Sequence, residues 1–282
     1  MKQKVTKEGK LLETLFVLFE DISKKKVKNY LKEGGVLVND KVITKYNFKV
    51  KPNDTIELNK VNKTHHKSAL EIIYEDNDFL VINKPAGLLS VGTNKEKEKT
   101  AYHLVREFIK NRNKLDKIFV LHRLDKDTSG VLVFVKNSTL KNILQNNWDK
   151  YVKTREYFAL VSGKVIDVID YVCYLKEIGP DKVIITNKKD GKKAITTIKT
   201  ISSNNKYTLV KVNIKTGRRN QIRVVLSSLG NSIIGDKKYG NINSNRLYLH
   251  ASKLTLINPL NNKTYTFKSG LPSSFKKVGN LK

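Results

Sequence analysis

The chain has 282 residues, enough for one large domain with a real core beside a smaller one. Its 55 Lys and Arg against 26 Asp and Glu leave a formal net charge of +29, which points to a polyanionic partner, most simply nucleic acid. One cysteine excludes an internal disulfide, five scattered histidines lack zinc-ligand spacing, and no apolar run is long enough to cross a bilayer.

Residues 1–10 are polar and lysine-rich, without the apolar stretch of a secretory signal, so a cytoplasmic protein is expected. Residues 11–20 read as an apolar-rich helix. Ser23 then reads as the N-cap of a second helix over residues 24–33. Val27 and Leu31, four apart, face inward, while Lys25, Lys28 and Lys32 make another face strongly basic. Gly34 and Gly35 stop the helix. Residues 36–38 form a strand, Asn39-Asp40 a turn, residues 41–44 the return strand and Thr55 to Leu58 a last strand after Pro52-Asn53-Asp54. A basic helix followed by Gly-Gly-Val-Leu-Val-Asn-Asp resembles the S4-type RNA-binding module. The resemblance implies an α/β domain over residues 11–60 that holds structured RNA through its phosphates, with Lys25, Lys28 and Lys32 as contacts.

Residues 59–69 are polar and aperiodic and read as a linker. Beyond them strands are expected at residues 79–82, 131–135, 157–161, 183–186, 207–214 and 247–250. Helices are expected at residues 100–110, 138–150 and 220–228. No regular βαβα alternation appears, so the fold class is α+β on a mainly antiparallel, mixed sheet. Cys173 reads as a small buried apolar residue. The polar tail from Ser269 reads as loose.

Several chemistries find no motif. There is no Gly-x-Gly-x-x-Gly turn for a nucleotide cofactor, no phosphate-binding Gly-x-x-x-x-Gly-Lys loop and no Gly-x-Ser-x-Gly elbow. A zinc deaminase needs more than one cysteine. What stands out is His122-Arg123-Leu124-Asp125-Lys126-Asp127-Thr128-Ser129-Gly130, a polar loop between the apolar segment 119–121 and a buried strand. Such a loop presents side chains from a rigid base, although Asp, Thr, Ser and Gly are also ordinary turn formers.

This run resembles the active-site motif His-Arg-Leu-Asp-x-x-Thr-Ser-Gly of the RluA-type pseudouridine synthase family. Other stretches follow in that family's order: Asn83-Lys84-Pro85-Ala86-Gly87, the strand bearing Tyr157, Gly191-Lys192-Lys193-Ala194-Ile195-Thr196, Gly217-Arg218-Arg219-Asn220-Gln221-Ile222-Arg223, Gly235-Asp236-Lys237-Lys238-Tyr239-Gly240 and Leu247-Tyr248-Leu249-His250-Ala251. Two departures stand out: Arg219-Asn220 replaces the usual Thr-His, and Val225 stands where a histidine is common.

The resemblance implies a catalytic domain over residues 70–270 that isomerises uridine within RNA. No redox change occurs and no external reactant is consumed, so neither cofactor nor metal is expected. Asp125 is the implied catalytic carboxylate, acting either on the anomeric carbon or on a ribose proton. Arg223 is its cationic partner, Tyr157 stacks on the uracil, and Arg123 fills the space the flipped base leaves. The expected partner is ribosomal RNA of the large subunit, with transfer RNA as the alternative, for a monomeric enzyme. Two other readings stand beside it. One is a non-catalytic RNA-binding factor of ribosome assembly; the other is an N-glycosidase or nuclease using Asp125 and Asp127 as paired carboxylates.

Overall fold

The computed structural model describes residues 2–32, 34–59, 70–92, 96, 98–179 and 182–279. The chain divides into two compact units, Met1–Ala69 and Leu70–Lys282. The expected linker lies, from residue 60 on, outside the described residues.

The first unit comprises β1 (Lys2–Lys4), β2 (Gly9–Lys10), α1 (Leu11–Leu18), α2 (Lys24–Lys32), β3 (Val36–Val38), β4 (Lys41–Val42), β5 (Lys49–Val50) and β6 (Thr55–Leu58). An antiparallel sheet in the order β1-β6-β3-β4 is joined by a β2-β5 pair. Leu11 and Leu15 of α1, Val27 and Leu31 of α2, and Val36 and Ile56 of the sheet are fully buried together, so one turn of apolar spacing orients each helix. The Ser23 hydroxyl accepts the Lys26 N–H at 3.4 Å. Lys25, Lys28 and Lys32 are exposed, as that spacing requires. Asn39 and Asp40 both take positive φ, 48° and 62°, the geometry of a tight hairpin turn.

The second unit contains β7 (Glu71–Glu75), β8 (Phe79–Lys84), α3 (Ala101–Arg112), β9 (Phe119–Val120), β10 (Ser129–Val135), α4 (Ser138–Asn146) and α5 (Trp148–Tyr151). It continues with β11 (Val152–Ser162), β12 (Val168–Ile178), β13 (Lys182–Thr186), β14 (Lys192–Ser203), β15 (Tyr207–Ile214), α6 (Gln221–Ser228), β16 (Leu249–Ile257), β17 (Thr264–Lys268) and α7 (Ser273–Gly279). One sheet runs β13-β12-β14-β15-β11-β16-β10-β8-β7, with β17 on β16 and β9 on β10. Every pairing is antiparallel except β10 with β16. The fold is therefore α+β on a mainly antiparallel mixed sheet.

The strands around the loop of interest are buried on both faces. Leu80, Ile82, Leu132 and Phe134 pack with Ala101, Val105 and Ile109 of α3. Phe79, Val81, Val131 and Val133 pack with Leu140 and Leu144 of α4. Double coverage explains why β8 and β10 read as continuous apolar runs. Elsewhere alternation returns: in β14, Ala194, Thr196 and Ile198 are fully buried and point to one face.

The structure corrects three expectations. The helix over 138–150 breaks at Asn147 (φ −124°, ψ 41°), whose side-chain amide donates to the Ile143 carbonyl and so competes with helical bonding. The strand at 247–250 begins at Leu249 and runs to Ile257, because Tyr248 is hydrogen-bonded between Leu160 and Ile234. The tail from Ser269 is not loose: α7 plants a fully buried Phe275 against Tyr248, ring centroids 5.1 Å apart. Among the described residues no helix is long and apolar enough to cross a membrane.

Candidate active site

Between β9 and β10 the chain is fixed at nearly every residue flanking Asp125. His122 Nε2 accepts the Val133 N–H at 3.2 Å, which places the imidazole proton on Nδ1. Burial pulls this histidine's pKa down to about 4, so it stays neutral and remains an acceptor. Leu124 is held by one buried hydroxyl: Ser90 Oγ accepts its N–H at 3.0 Å and donates to its carbonyl at 2.7 Å. The Lys126 carbonyl accepts from Lys84 Nζ at 2.9 Å and from the Gly87 N–H at 2.9 Å. Thr128 N–H closes the turn on the Asp125 carbonyl at 3.1 Å.

Lys84 is itself fully buried, and its ammonium also donates to the Pro85 and Leu88 carbonyls at 2.9 and 2.7 Å. Burial presses its pKa down to about 7, opposed by Asp127 and Asp125. Three carbonyl acceptors need three N–H donors, which only the ammonium has. At the far end of the loop Arg246 Nη2 donates to Ser129 Oγ at 2.6 Å. The Ser129 proton therefore goes to His250 Nδ1, 2.9 Å away, and His250 Nε2–H to Ser269 Oγ at 3.1 Å. Gly130 follows with φ +114°, and a Cβ there would lie 2.1 Å from the Ala251 carbonyl oxygen. Only glycine lets β10 and β16 meet at this point.

The loop so fixed presents Asp125 with its side chain 38% exposed and one oxygen 3.5 Å from Arg223 Nη1. Arg123, next to it, is exposed, and no hydrogen bond or ion pair holds its guanidinium among the described residues. It makes no ion pair with Asp127.

Arg223 sits on α6, yet its side chain is only 8% exposed. Asp236, with no exposure, takes its Nε and Nη2 in a bidentate pair at 2.8 and 2.7 Å. Asp236 also accepts the Lys238 and Tyr239 N–H groups, and the guanidinium lies over the Tyr239 ring at 5.2 Å. Burial alone would raise the Asp236 carboxyl, but the Arg223 hydrogen bonds and charge outweigh it and hold it below the ordinary value. Arg223 is raised in turn and stays charged. The remaining nitrogen, Nη1, faces Asp125 and the Asn220 side-chain oxygen at 3.2 Å.

Asn220, standing where the family motif has His, does a definite job. It caps α6 in the left-handed region (φ 52°, ψ 18°), which asparagine tolerates, and donates to the Tyr239 hydroxyl at 3.0 Å. The arginine, its acid and the ring beneath them are thus tied together.

Tyr157 lies on β11 between Val212 of β15 and Ala251 of β16, packed against the cores on both sides of it. Burial raises its phenol pKa, Arg155 opposes this and Asp125 adds to it, so the ring stays protonated at neutral pH. The site thus gathers a half-exposed carboxylate, a locked guanidinium and a neutral phenol from three distant segments. Sequence reasoning reached Asp125, Tyr157, Arg223 and Arg123. It assigned no role to Asp236, Tyr239, Ser90 or His250; Asp236 and Tyr239 lie in Gly235-Asp236-Lys237-Lys238-Tyr239-Gly240, already noted as a family segment. Lys25, Lys28 and Lys32 lie in the other compact unit.

Residues 78–228 match the RNA pseudouridylate synthase family, and residues 10–56 match the S4 domain. An uncharacterized RNA pseudouridine synthase of Mycoplasma pneumoniae is 31% identical, covering 96% of this chain and 92% of its own length. Ribosomal large subunit pseudouridine synthase D of Zymomonas mobilis is 28% identical over 92% of this chain and 89% of its own. The solved structure of human RNA pseudouridylate synthase domain containing 4 shares the fold, with a TM-score of 0.60 at 23% identity over 75% of this chain and 94% of its own. The chain therefore belongs to the RNA pseudouridylate synthase family, of the RluA type, and carries an S4 domain ahead of its catalytic region.

Proposed function

We propose that this enzyme converts specific uridines of large-subunit ribosomal RNA to pseudouridine, with Asp125 as its catalytic carboxylate. The observation that carries the assignment is the mounting of Asp125: a rigid loop offers it to solvent beside Arg223, whose other contacts are satisfied by Asp236. Attack on the anomeric carbon and removal of a ribose proton both call for a carboxylate held close to the sugar, and Arg223 lies 3.5 Å from this one. In either route the bond from N1 to the sugar breaks, the uracil turns without leaving, carbon 5 joins the sugar and gives up its proton, and N1 takes one up.

Tyr157, held as a neutral phenol, suits stacking on the uracil better than accepting the proton of carbon 5. Arg123, exposed and without a partner among the described residues, suits the space vacated by the flipped nucleotide. Lys25, Lys28 and Lys32 on α2 give the S4 domain a face for RNA phosphates. The large-subunit target draws support from the relative in Zymomonas mobilis and one in Buchnera aphidicola, 27% identical, both named ribosomal large subunit pseudouridine synthase D.

Tritium release from RNA labelled at carbon 5 of uridine tests the chemistry. Asp125→Asn should release none while binding RNA as before; full activity in that variant would sink the assignment. Shortened RNA would instead mark a nuclease. Mapping pseudouridines with and without the gene tests the target: missing modification in transfer RNA alone would refute the ribosomal reading.

A further inference from the structure

The arginines around the site divide into two kinds. Arg223 is buried and carries an internal acid. Arg155 and Arg246 are half-buried, and no carboxylate of the described residues lies within 4 Å of either guanidinium. Acids are used on more exposed cations instead: Glu75 pairs with Arg112, Glu177 with Arg219 and Asp170 with Lys215.

Neither unpaired arginine is loose. Arg155 Nη2 donates to the Lys215 carbonyl at 2.7 Å, and the guanidinium lies 5.7 Å from the Trp148 ring centre. Gly217 leaves room for it, since a Cβ there would meet Nη1 at 2.5 Å. Beyond burial, Tyr157 and then Asp149 favour its charge and Arg218 opposes it, none of them an ion pair. Arg246 is fixed by Ser129 Oγ and the Leu247 carbonyl, above the rings of Tyr248 and Phe275 at 5.7 and 5.5 Å. Burial lowers the pKa of both, the mark of cations lacking counter-charge.

Both also stand next to the chemistry. Arg155 is two residues before Tyr157 on the same strand, and its charge acts on the Tyr157 phenol. Arg246 touches Ser129, the residue that ends the Asp125 loop, and with Lys237 and Asp127 lines a pocket of about 150 Å³.

We propose that Arg155 and Arg246 are two preformed phosphate sockets that grip the RNA backbone on either side of the target nucleotide. A half-buried guanidinium without an acid is costly to keep, and a phosphate diester supplies the missing charge in the fork geometry arginine prefers. The single acid lining the Arg246 pocket, Asp127, suits a ribose 2′-hydroxyl donor. Grip on backbone alone carries no sequence information, so the sockets hold the strand in place for Asp125 whatever bases flank the uridine. This inference rests on the RNA pseudouridine synthase reading but not on which RNA is the substrate.

The test is the salt dependence of kcat/KM for tritium release from a labelled transcript of whichever RNA carries the mapped uridine. Arg155→Met and Arg246→Met should each reduce the slope of log kcat/KM against log salt by about 0.7–1, and the pair by about twice that. Lys263→Met, in the exposed turn between β16 and β17, serves as the control and should leave the slope unchanged. A purely structural role would lower the melting temperature and leave the slope alone, which would overturn the proposal. The unaltered protein gives an independent reading if a Met variant fails to fold. Neutral methylphosphonate linkages, placed singly around the target uridine, should raise KM at least tenfold at two positions. Uniform tolerance of every placement would overturn the proposal equally.

Discussion

Asp236 touches neither solvent nor the proposed substrate position, yet the site geometry hangs on it. Asp236→Asn keeps the shape and removes the charge that takes two of the Arg223 nitrogens at 2.8 and 2.7 Å. Breaking a buried pair by removing one partner costs about 3–5 kcal/mol, because the other charge stays behind. Asp125 offsets little of this, being 38% exposed and 3.5 Å away, where water screens it. At about 2–4 °C per kcal/mol, the catalytic unit should melt roughly 6–20 °C lower. The chain has one tryptophan, Trp148, in that unit, so its fluorescence reports on this transition and not on the S4 domain. In the fraction that remains folded, kcat should fall about 10²–10³-fold as Arg223 loses its aim, with KM changing less. A second variant separates the two effects. Arg223→Met with Asp236→Leu replaces the pair by apolar groups and should recover most of the stability while remaining inactive. An Asp236→Asn protein that melts and turns over like the parent would refute this account of the site.

Three further outcomes follow from the same geometry. His122 and His250 are both held near a pKa of about 4 by burial, against an ordinary 6.5. The unfolded chain therefore binds more protons between these values. Stability should be full above pH 6.5 and fall toward pH 4 by at most about 1.4 kcal/mol per pH unit for each histidine. Unfolding curves at stepped pH check this, and a flat profile would contradict it. Lys84→Met leaves the carbonyls of Pro85, Leu88 and Lys126 without their shared donor, at about 1–3 kcal/mol for each one left unsatisfied, again read by Trp148 fluorescence. Gly130→Ala should yield no folded catalytic unit, since its Cβ would strike the Ala251 backbone; a soluble, active Gly130→Ala protein would mean that β10 and β16 do not meet this closely.

What the sequence revealed was mostly local. Val27 and Leu31 announced their burial by spacing alone, and Asn39-Asp40 announced its turn by residue type. Asp125 was found because its neighbours form a recognisable run. Arg223 without that motif reads as a surface arginine on a helix. Its burial depends on Asp236 and Tyr239, which the fold brings to it from outside α6. Strands β12 and β14 escaped notice because Ile169, Val172 and Ile201 are exposed and blur the alternation. The tail was misjudged because its ordering depends on one residue, Phe275, inserted into a distant core. For Arg223 and the tail the deciding contacts lie outside the segment itself, where periodicity carries no signal.

The parallel junction of β10 with β16 has a consequence for the protein's own synthesis. Asp125 and Arg223 are 98 positions apart, and Ser129 waits 121 positions for His250. Synthesis from the N-terminal side thus releases β8 and β10 long before β16, which flanks β10, exists. Contacts of such separation form late, and until then Ser129 and Gly130 of the largely apolar β10 lack their partners in β16. The S4 domain precedes the catalytic region and is complete in sequence while Asp125 still lacks both Arg223 and the support of β16. On the proposed reading, RNA contact by the S4 domain precedes catalysis, which waits for the residues that complete the site.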